Sequence, residues 1–209
     1  MTATSDRILE FWNWFITRCD QFDEWLSSGA TEEIGLEMQC KFQQAFPELG
    51  WELGPGSQKR NFLAFTLNGD PTNLELVSEI LKRAPTITRW EFRAGRPRRA
   101  YSGQLVFRNE FGQQITISLQ DWRYVLTEFD NGQFFDIDIS TKQKLRLDSR
   151  AKQQVLKTAV QLALGELQTL RYIDRIEFVE EPIKEWYARS TPFEYLAEHI
   201  DSLTAPQGT

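Results

Sequence analysis

Residues 82–99 read KRAPTITRWEFRAGRPRR, and the fold is organised around them. Lys82 and Arg83 close a helix, and Ala84-Pro85 turns the chain, because the residue before a proline is pushed out of the helical region. The segment through Trp90 and Phe92 then alternates as a strand. Thr88, Trp90 and Phe92 fall on one face; Arg89, Glu91 and Arg93 fall on the other. A basic loop, Arg96-Pro97-Arg98-Arg99, follows. Seven of these eighteen residues are Lys or Arg against the single acid Glu91, which leaves 17 basic and 29 acidic residues in the rest of the 209-residue chain. A helix delivered into a strand with a charged outer face is the signature of a sheet backed by helices on one side.

Working upstream, residues 5–27 carry Ile8, Phe11, Trp12, Phe15, Cys19, Phe22 and Leu26 at spacings of three and four, one apolar helical stripe. Ser5 is the expected N-cap, with Asp6 in the first turn. Trp14 and Trp25 lie off that stripe, so this helix is expected either to be covered on a second side or to meet a partner. Thr31 is expected to cap a second helix, with Glu32 and Glu33 at its positive end. Its buried face is Ile34, Met38, Phe42, Ala45 and Phe46, and Pro47 stops it. Residues 49–53 and 61–67 read as strands around a turn at Gly54-Pro55-Gly56-Ser57. Pro71 opens a third helix, Thr72 and Glu75 have capping-box spacing, and Leu74, Val77, Ile80 and Leu81 face inward.

Downstream, Leu105 and Phe107 alternate with Val106 and Arg108, a turn falls at Asn109-Glu110-Phe111-Gly112, and Ile115, Ile117 and Leu119 form the returning strand. Asn131-Gly132 is the strongest hairpin signal in the chain and lies between strands at 122–129 and 133–139. That turn puts Tyr124, Leu126, Phe135, Ile137 and Ile139 on one face, and Asp136 and Asp138 on the other with Val125, Thr127 and Phe129. Ser149 is expected to cap a helix with Val155, Ala159, Leu162 and Ala163 inward and Leu167 near its end. Residues 172–179 read as a last strand. Thr191, Pro192 and Glu194 read as a capping box opening a terminal helix through Phe193, Leu196, Ile200 and Leu203. The sum is an α+β fold with mostly antiparallel sheet, helices on one side, two N-terminal helices and a C-terminal helix. It is read as one domain over 1–203, divisible into halves at about 1–100 and 101–203, with a disordered tail at 204–209. No repeat of fixed period joins the halves.

Composition narrows the class. Seven Trp, fifteen Phe and 41% hydrophobic residues suit a packed interior. No apolar run reaches the ~20 residues that span a bilayer, and the N-terminus lacks a signal-peptide pattern. Two cysteines, Cys19 and Cys40, read as ordinary semi-buried thiols on helices, which fits a reducing cytoplasm. The net charge of −6 argues against uniform affinity for nucleic acid.

Several spaced features, Leu53-Gly54 directly after Trp51-Glu52, Ala84-Pro85 followed by Trp90, and Arg96-Pro97, are joined further on by Leu164-Gly165-Glu166, Ile176-Glu177 and Pro192-Phe193-Glu194-Tyr195-Leu196. With these the chain resembles an uncharacterised bacterial domain-of-unknown-function family over about residues 49–203. The resemblance implies a cytoplasmic α+β protein of bacterial type and carries over no activity and no site residue.

Reaction chemistry is poorly supplied. His199, the single histidine, sits on the terminal helix between Glu198 and Asp201 with no nucleophile elbow in the chain, so it reads as a partly exposed helix residue. No C-x-x-C or H-E-x-x-H occurs, and no metal ligand set or cofactor is assigned. Gly54-Pro55-Gly56-Ser57-Gln58-Lys59-Arg60 reads as a hairpin turn rather than a phosphate cradle, since a strand follows it and Pro55 lacks an N–H. Asp136 with Asp138, and Asp174 with Glu177, Glu180 and Glu181, read as solvated or partner-facing acids, with a cation pair as the alternative. Arg89, Arg93, Arg96, Arg98 and Arg99 form the candidate anion-binding set; against it stands pairing with the chain's own surplus acids. Three functions follow in order of preference. The first is a non-enzymatic interaction or regulatory protein meeting a partner through the sheet face or through Trp14 and Trp25. The second is binding of nucleic acid or another polyanion through residues 82–99. The third is a metal-dependent enzyme at Asp136 and Asp138. No membrane partner is expected, and the oligomeric state is left open.

Overall fold

The aromatic stripe of the N-terminal segment forms α1 (Ala3–Ser28), and the second apolar stripe forms α2 (Thr31–Ala45). The computed structural model describes residues 3–108 and 114–205. The chain divides into two compact units, Met1–Pro97 and Arg98–Thr209. Among the described residues seven α-helices and nine strands lie in mostly antiparallel sheets, an α+β fold.

In unit 1, β1 (Gly50–Pro55), β2 (Asn61–Thr66) and β3 (Trp90–Ala94) form a sheet in the order β1-β2-β3. The first pair is antiparallel and the second parallel, with α3 (Leu74–Lys82) as the connection between β2 and β3. A parallel pair needs such a crossover, because a two-residue turn cannot return the chain in the same direction. Ile8, Phe11, Trp12, Phe15 and Phe22 of α1 share a core with Met38 and Phe42 of α2, Leu63 and Phe65 of β2, Ile80 of α3, and Trp90. Each such side chain contributes about 1.5–3 kcal/mol on burial. The buried indoles are also hydrogen-bonded: Trp12 Nε1 donates to Ile80 O at 3.0 Å and Trp90 Nε1 to Cys19 O at 3.2 Å.

Unit 2 holds two sheets. β4 (Gln104–Arg108) and β5 (Gln114–Ser118) make an antiparallel ribbon. The larger sheet has the order β8-β7-β6-β9, built from β6 (Arg123–Phe129), β7 (Phe134–Ser140), β8 (Ile173–Phe178) and β9 (Thr191–Pro192). β6 and β7 are a hairpin, and β8 lies parallel to β7 after α4 (Ser149–Leu164) and α5 (Glu166–Tyr172). A six-residue α6 (Lys184–Arg189) precedes β9, and α7 (Leu196–Thr204) closes the chain. Tyr124, Phe135, Ile137 and Ile139 meet Val155, Leu156 and Val160 of α4 and Leu196 and Ile200 of α7 in the second core. Both units therefore contain a hairpin, a helical crossover, and a third strand parallel to the second.

Several local expectations are corrected. α1 begins at Ala3, before Ser5, and Thr31 makes no capping hydrogen bond; Ala30 holds the N-cap position of α2. Pro55 belongs to β1 rather than to the turn, tolerated because an edge strand can spare its N–H. Gly56 makes the turn, where a Cβ would collide with Lys59 O. Asp70 caps a 3₁₀ turn (Pro71–Asn73) ahead of α3, accepting from Thr72 N at 2.9 Å, so the Thr72/Glu75 box does not form. Leu74 is exposed, as is Thr88, which precedes β3. α4 is capped by Asp148, which accepts from Ala151 N at 2.8 Å, not by Ser149. It is capped at its C-terminus by Gly165, whose φ of 82° breaks the helix, so Leu167 belongs to the next helix, α5, and is exposed. Thr191 and Pro192 are strand residues, so the terminal capping box does not form either. Cys40 is exposed. The Asn109–Gly112 turn lies outside the described residues, as do 206–209 of the tail, while 204 is still helical.

The cap assignment at α4 gives a direct test. Asp148→Ala should cost about 1 kcal/mol in denaturant unfolding, whereas Ser149→Ala should change it by a few tenths at most. Equal losses in the two variants would contradict the assignment.

Candidate functional site

Most arginines of residues 82–99 are engaged by the chain's own carboxylates. In unit 1, Arg89 Nη1 lies 2.7 Å from Asp23 Oδ2, and Arg60 Nε lies 3.1 Å from Asp23 Oδ1. Asn61 Nδ2 donates to the same Oδ1 at 2.8 Å. Arg93 pairs with Glu91, donates to Ser57 Oγ at 2.6 Å, and lies over the Phe62 ring. Arg96 pairs with Glu52 at 2.7 Å. In unit 2, Arg98 pairs with Asp201 at 2.6 Å, and the Arg99 backbone N–H donates to Leu162 O at 2.7 Å. The guanidinium heads of Arg89, Arg93, Arg96 and Arg98 are thus parcelled out among Asp23, Glu91, Glu52 and Asp201 rather than gathered on one ligand.

The glycine turn is occupied in the same way. Ser57 N and Gln58 N donate to the two oxygens of Glu91 at 2.7 and 3.2 Å. Burial alone would raise the Glu91 carboxyl, but those amides and Arg93 outweigh it and hold its pKa below the usual range. Asp23 follows the same logic: burial pushes it up, and hydrogen bonds from Asn61 and Arg89 with the charges of Arg60 and Arg89 bring it below.

The other sequence candidates also have internal partners. Trp14 and Trp25 are half-buried, not exposed. Trp14 lies 5.6 Å from Phe11 and 5.7 Å from Phe22, with Lys41 Nζ 5.8 Å above its ring, and Trp25 lies 6.0 Å from Phe22. The exposed apolar residues of α1 are instead Leu9 and Ile16. Asp136 is buried and accepts from Arg175 Nε at 2.8 Å; the same guanidinium reaches Glu177 at 2.7 Å. Burial raises the neighbouring Asp138 carboxyl, assisted by Glu177 and Asp136 and opposed by Arg175. Among the described residues no group of three His, Cys, Asp or Glu is placed to hold a metal ion. His199 Nδ1 shares a 2.9 Å hydrogen bond with the hydroxyl of Tyr124, whose burial pushes its pKa up to about 12. The one imidazole is therefore spent on a core tyrosine.

What no motif announced is an open cleft of about 750 Å³ in unit 2. Half-buried Leu162 and Ala163 of α4 and Ala197 of α7, with exposed Val106 of β4, supply its apolar surface, backed by the buried Leu105, Leu119 and Phe193. Arg98, Arg99, Glu194 and Glu198 line it and are all exposed, so charge sits at its rim. Tyr101 also lines it, its phenol pushed up by burial and then by the charge of Glu194. These residues lie up to a hundred positions apart in the sequence. Two of the candidate arginines, Arg98 and Arg99, do fall in this cleft, while Arg89, Arg93 and Arg96 do not line it; the other local signal was Val106, an apolar residue on the outward side of an alternating strand, here 53% exposed.

In comparisons with family models, curated proteins and solved structures, nothing matches this chain. Among the described residues no helix is long and apolar enough to cross a membrane.

The Asp23 junction sets a pH dependence. Its folded pKa lies below the ordinary carboxylate value, so its stabilisation is complete above that value and is lost as pH falls through the folded one. Thermal melts should show unit 1 weakening as the pH falls below the ordinary carboxylate value and on through the lower folded one. Asp23→Asn should be less stable at neutral pH and show a shallower acid decline; parallel pH profiles for the two proteins would refute this.

Proposed function

We propose that this chain is a non-enzymatic interaction protein that holds a segment of another protein in the unit 2 cleft. The supporting observation is the cleft itself: a concave apolar surface, with its four charged residues at the rim and Arg98 already neutralised by Asp201. A volume of about 750 Å³ lies in the range that encloses a ligand of small-molecule size. A few residues of a peptide fit such a space; a folded domain does not. Apolar surface left in a concave site favours a partner that brings apolar side chains to it. The engagement of the arginines and of the Ser57–Gln58 amides by internal carboxylates ranks the polyanion reading below this one. A bacterial cytoplasmic setting, expected from the family resemblance, accords with two cysteines that are both free.

Filling the cleft tests the proposal. A photoreactive residue in place of Val106, in the cells that make the protein, should give one discrete cross-linked product. Ala163→Trp, which fills the apolar surface, should remove that product without lowering the melting temperature by more than a few degrees. A product of unchanged yield in the filled variant, or no product in either, would remove the reading.

A further inference from the structure

The outer edge of β4 borders the same cleft. Gln104, Leu105 and Val106 all line it, although Leu105 is buried and its two neighbours are exposed. Successive strand side chains point to opposite faces, so three consecutive residues meet one space when that space lies along the strand's edge. Among the described residues β4 pairs only with β5, which leaves that edge without a strand partner there.

The hydrogen-bond parity says which groups the edge presents. Leu119 N donates to Gly103 O at 2.8 Å, and the register runs without a break from Gln104↔Ser118 to Arg108↔Gln114. In an antiparallel pair, alternate residues exchange both backbone bonds with the partner strand and the residues between them turn outward. Gly103, Leu105 and Phe107 therefore face β5, and Gln104, Val106 and Arg108 turn their N–H and C=O away from it. The Gln104 carbonyl confirms this parity by accepting from Ser102 Oγ at 2.9 Å. Among the described residues no hydrogen bond reaches the outward N–H or C=O of Val106. The edge also lacks the usual guards: its middle residues are Leu105, Val106 and Phe107, with no proline and no bulge.

We infer that the cleft takes its partner as an extended strand added to the β4 edge, with alternate apolar side chains directed onto Leu162 and Ala197. The occupant is a linear segment of another protein, recognised through its backbone by Val106 and Gln104 and through every second side chain by the apolar surface. This rests on the reading of the cleft as a protein-binding site and adds the conformation and chemistry of what binds. A second copy of the chain pairing edge to edge is the competing occupant. The cleft favours the linear segment, because Ala159, Leu162 and Ala163 of α4 line the same space as Gln104, Leu105 and Val106, and a space of about 750 Å³ so bounded admits a strand but not the body of a second copy behind it.

The test uses the full chain and random linear peptides displayed on phage. Peptides are kept when their binding is lost in Leu162→Glu, which places a charge on the cleft surface. For these, Val106→Pro should weaken binding by about tenfold, because it removes one outward N–H while leaving the β4–β5 ladder intact. N-methylation along the peptide should weaken binding at every second position only; this readout stands even if the proline variant folds poorly. Peptides that depend on Leu162 yet tolerate both Val106→Pro and N-methylation at every position would overturn strand addition and leave the cleft reading in place. Failure to recover any peptide that depends on Leu162 would overturn both. A concentration-dependent dimer abolished by Val106→Pro would give the edge to a second copy instead.

Discussion

A single carboxylate, Asp23, is taken out of water where α1 runs past the starts of β2 and β3. Only 4% of its side chain stays accessible, and it is met by Arg89, Arg60 and Asn61. A buried carboxylate without partners would cost several kcal/mol, so these three donors are required together rather than separately useful. The arrangement ties one helix to the hairpin turn and to the entrances of two parallel strands. It also decides what the basic stretch can be. Arg89, though exposed, is tied to Asp23, and Arg93 and Arg96 are likewise tied to Glu91 and Glu52. In a chain with 30 acids and 24 bases, a local run of positive charge finds its neutralisation at home.

Removing the arginines from the list of open groups shifts attention to what the topology leaves over. In unit 2 the hairpin of β6 and β7, the crossover through α4 and α5, and the parallel β8 repeat the connection that β1, β2, α3 and β3 make in unit 1. In both cases the helices cover one face of the sheet and the core forms there. The β4–β5 ribbon stands outside that repeated pattern. A two-stranded ribbon is marginal in water unless something packs against it. Here Leu105 and Ile117 join the core of unit 2 and fix the ribbon by one face. Among the described residues no strand pairs with the ribbon's outer side, and Gln104, Leu105 and Val106 line the cleft together with residues of α4 and α7.

The residues explain why much of the fold was legible and the cleft was not. The buried face of α2 came directly from spacing, because Ile34, Met38, Phe42, Ala45 and Phe46 lie on one helical stripe. The two faces of the β6–β7 hairpin came from Asn131-Gly132, since a tight turn at that position fixes the parity of every pair beyond it. The ladder closes one pair earlier than a two-residue turn requires, at Phe129↔Phe134, and the parity is unchanged. Caps were harder. Asp148 and Ser149 are both good N-cap residues, and only the extended backbone at Asp148 decided between them. α6 is too short for periodicity to show, and Pro192 belongs to a strand of two residues. The cleft is assembled from four separated segments; the basic loop supplies Arg98 and Arg99 and the stretch 192–196 supplies Phe193 and Glu194, but neither pattern by itself describes an apolar groove.

Edge strands carry a cost that bears on how such a cleft could persist. An exposed apolar strand edge invites any other strand, and proteins usually blunt it with charge, proline or a bulge. The β4 edge has none of these in its middle, but it has Arg98, Arg99, Glu194 and Glu198 around the cleft that it borders. Charges of both signs at a rim discourage a generic apolar aggregate, which would have to desolvate them, while a single extended segment can pass between them with its backbone against Val106. The selectivity of the site would then come from two sources acting at right angles. Backbone pairing along β4 is indifferent to sequence, and the apolar wall formed by Leu162, Ala163, Phe193 and Ala197 is not. Affinity from the first and discrimination from the second is a division of labour that needs no titrating residue, in agreement with a histidine committed to Tyr124 and arginines committed to their own acids.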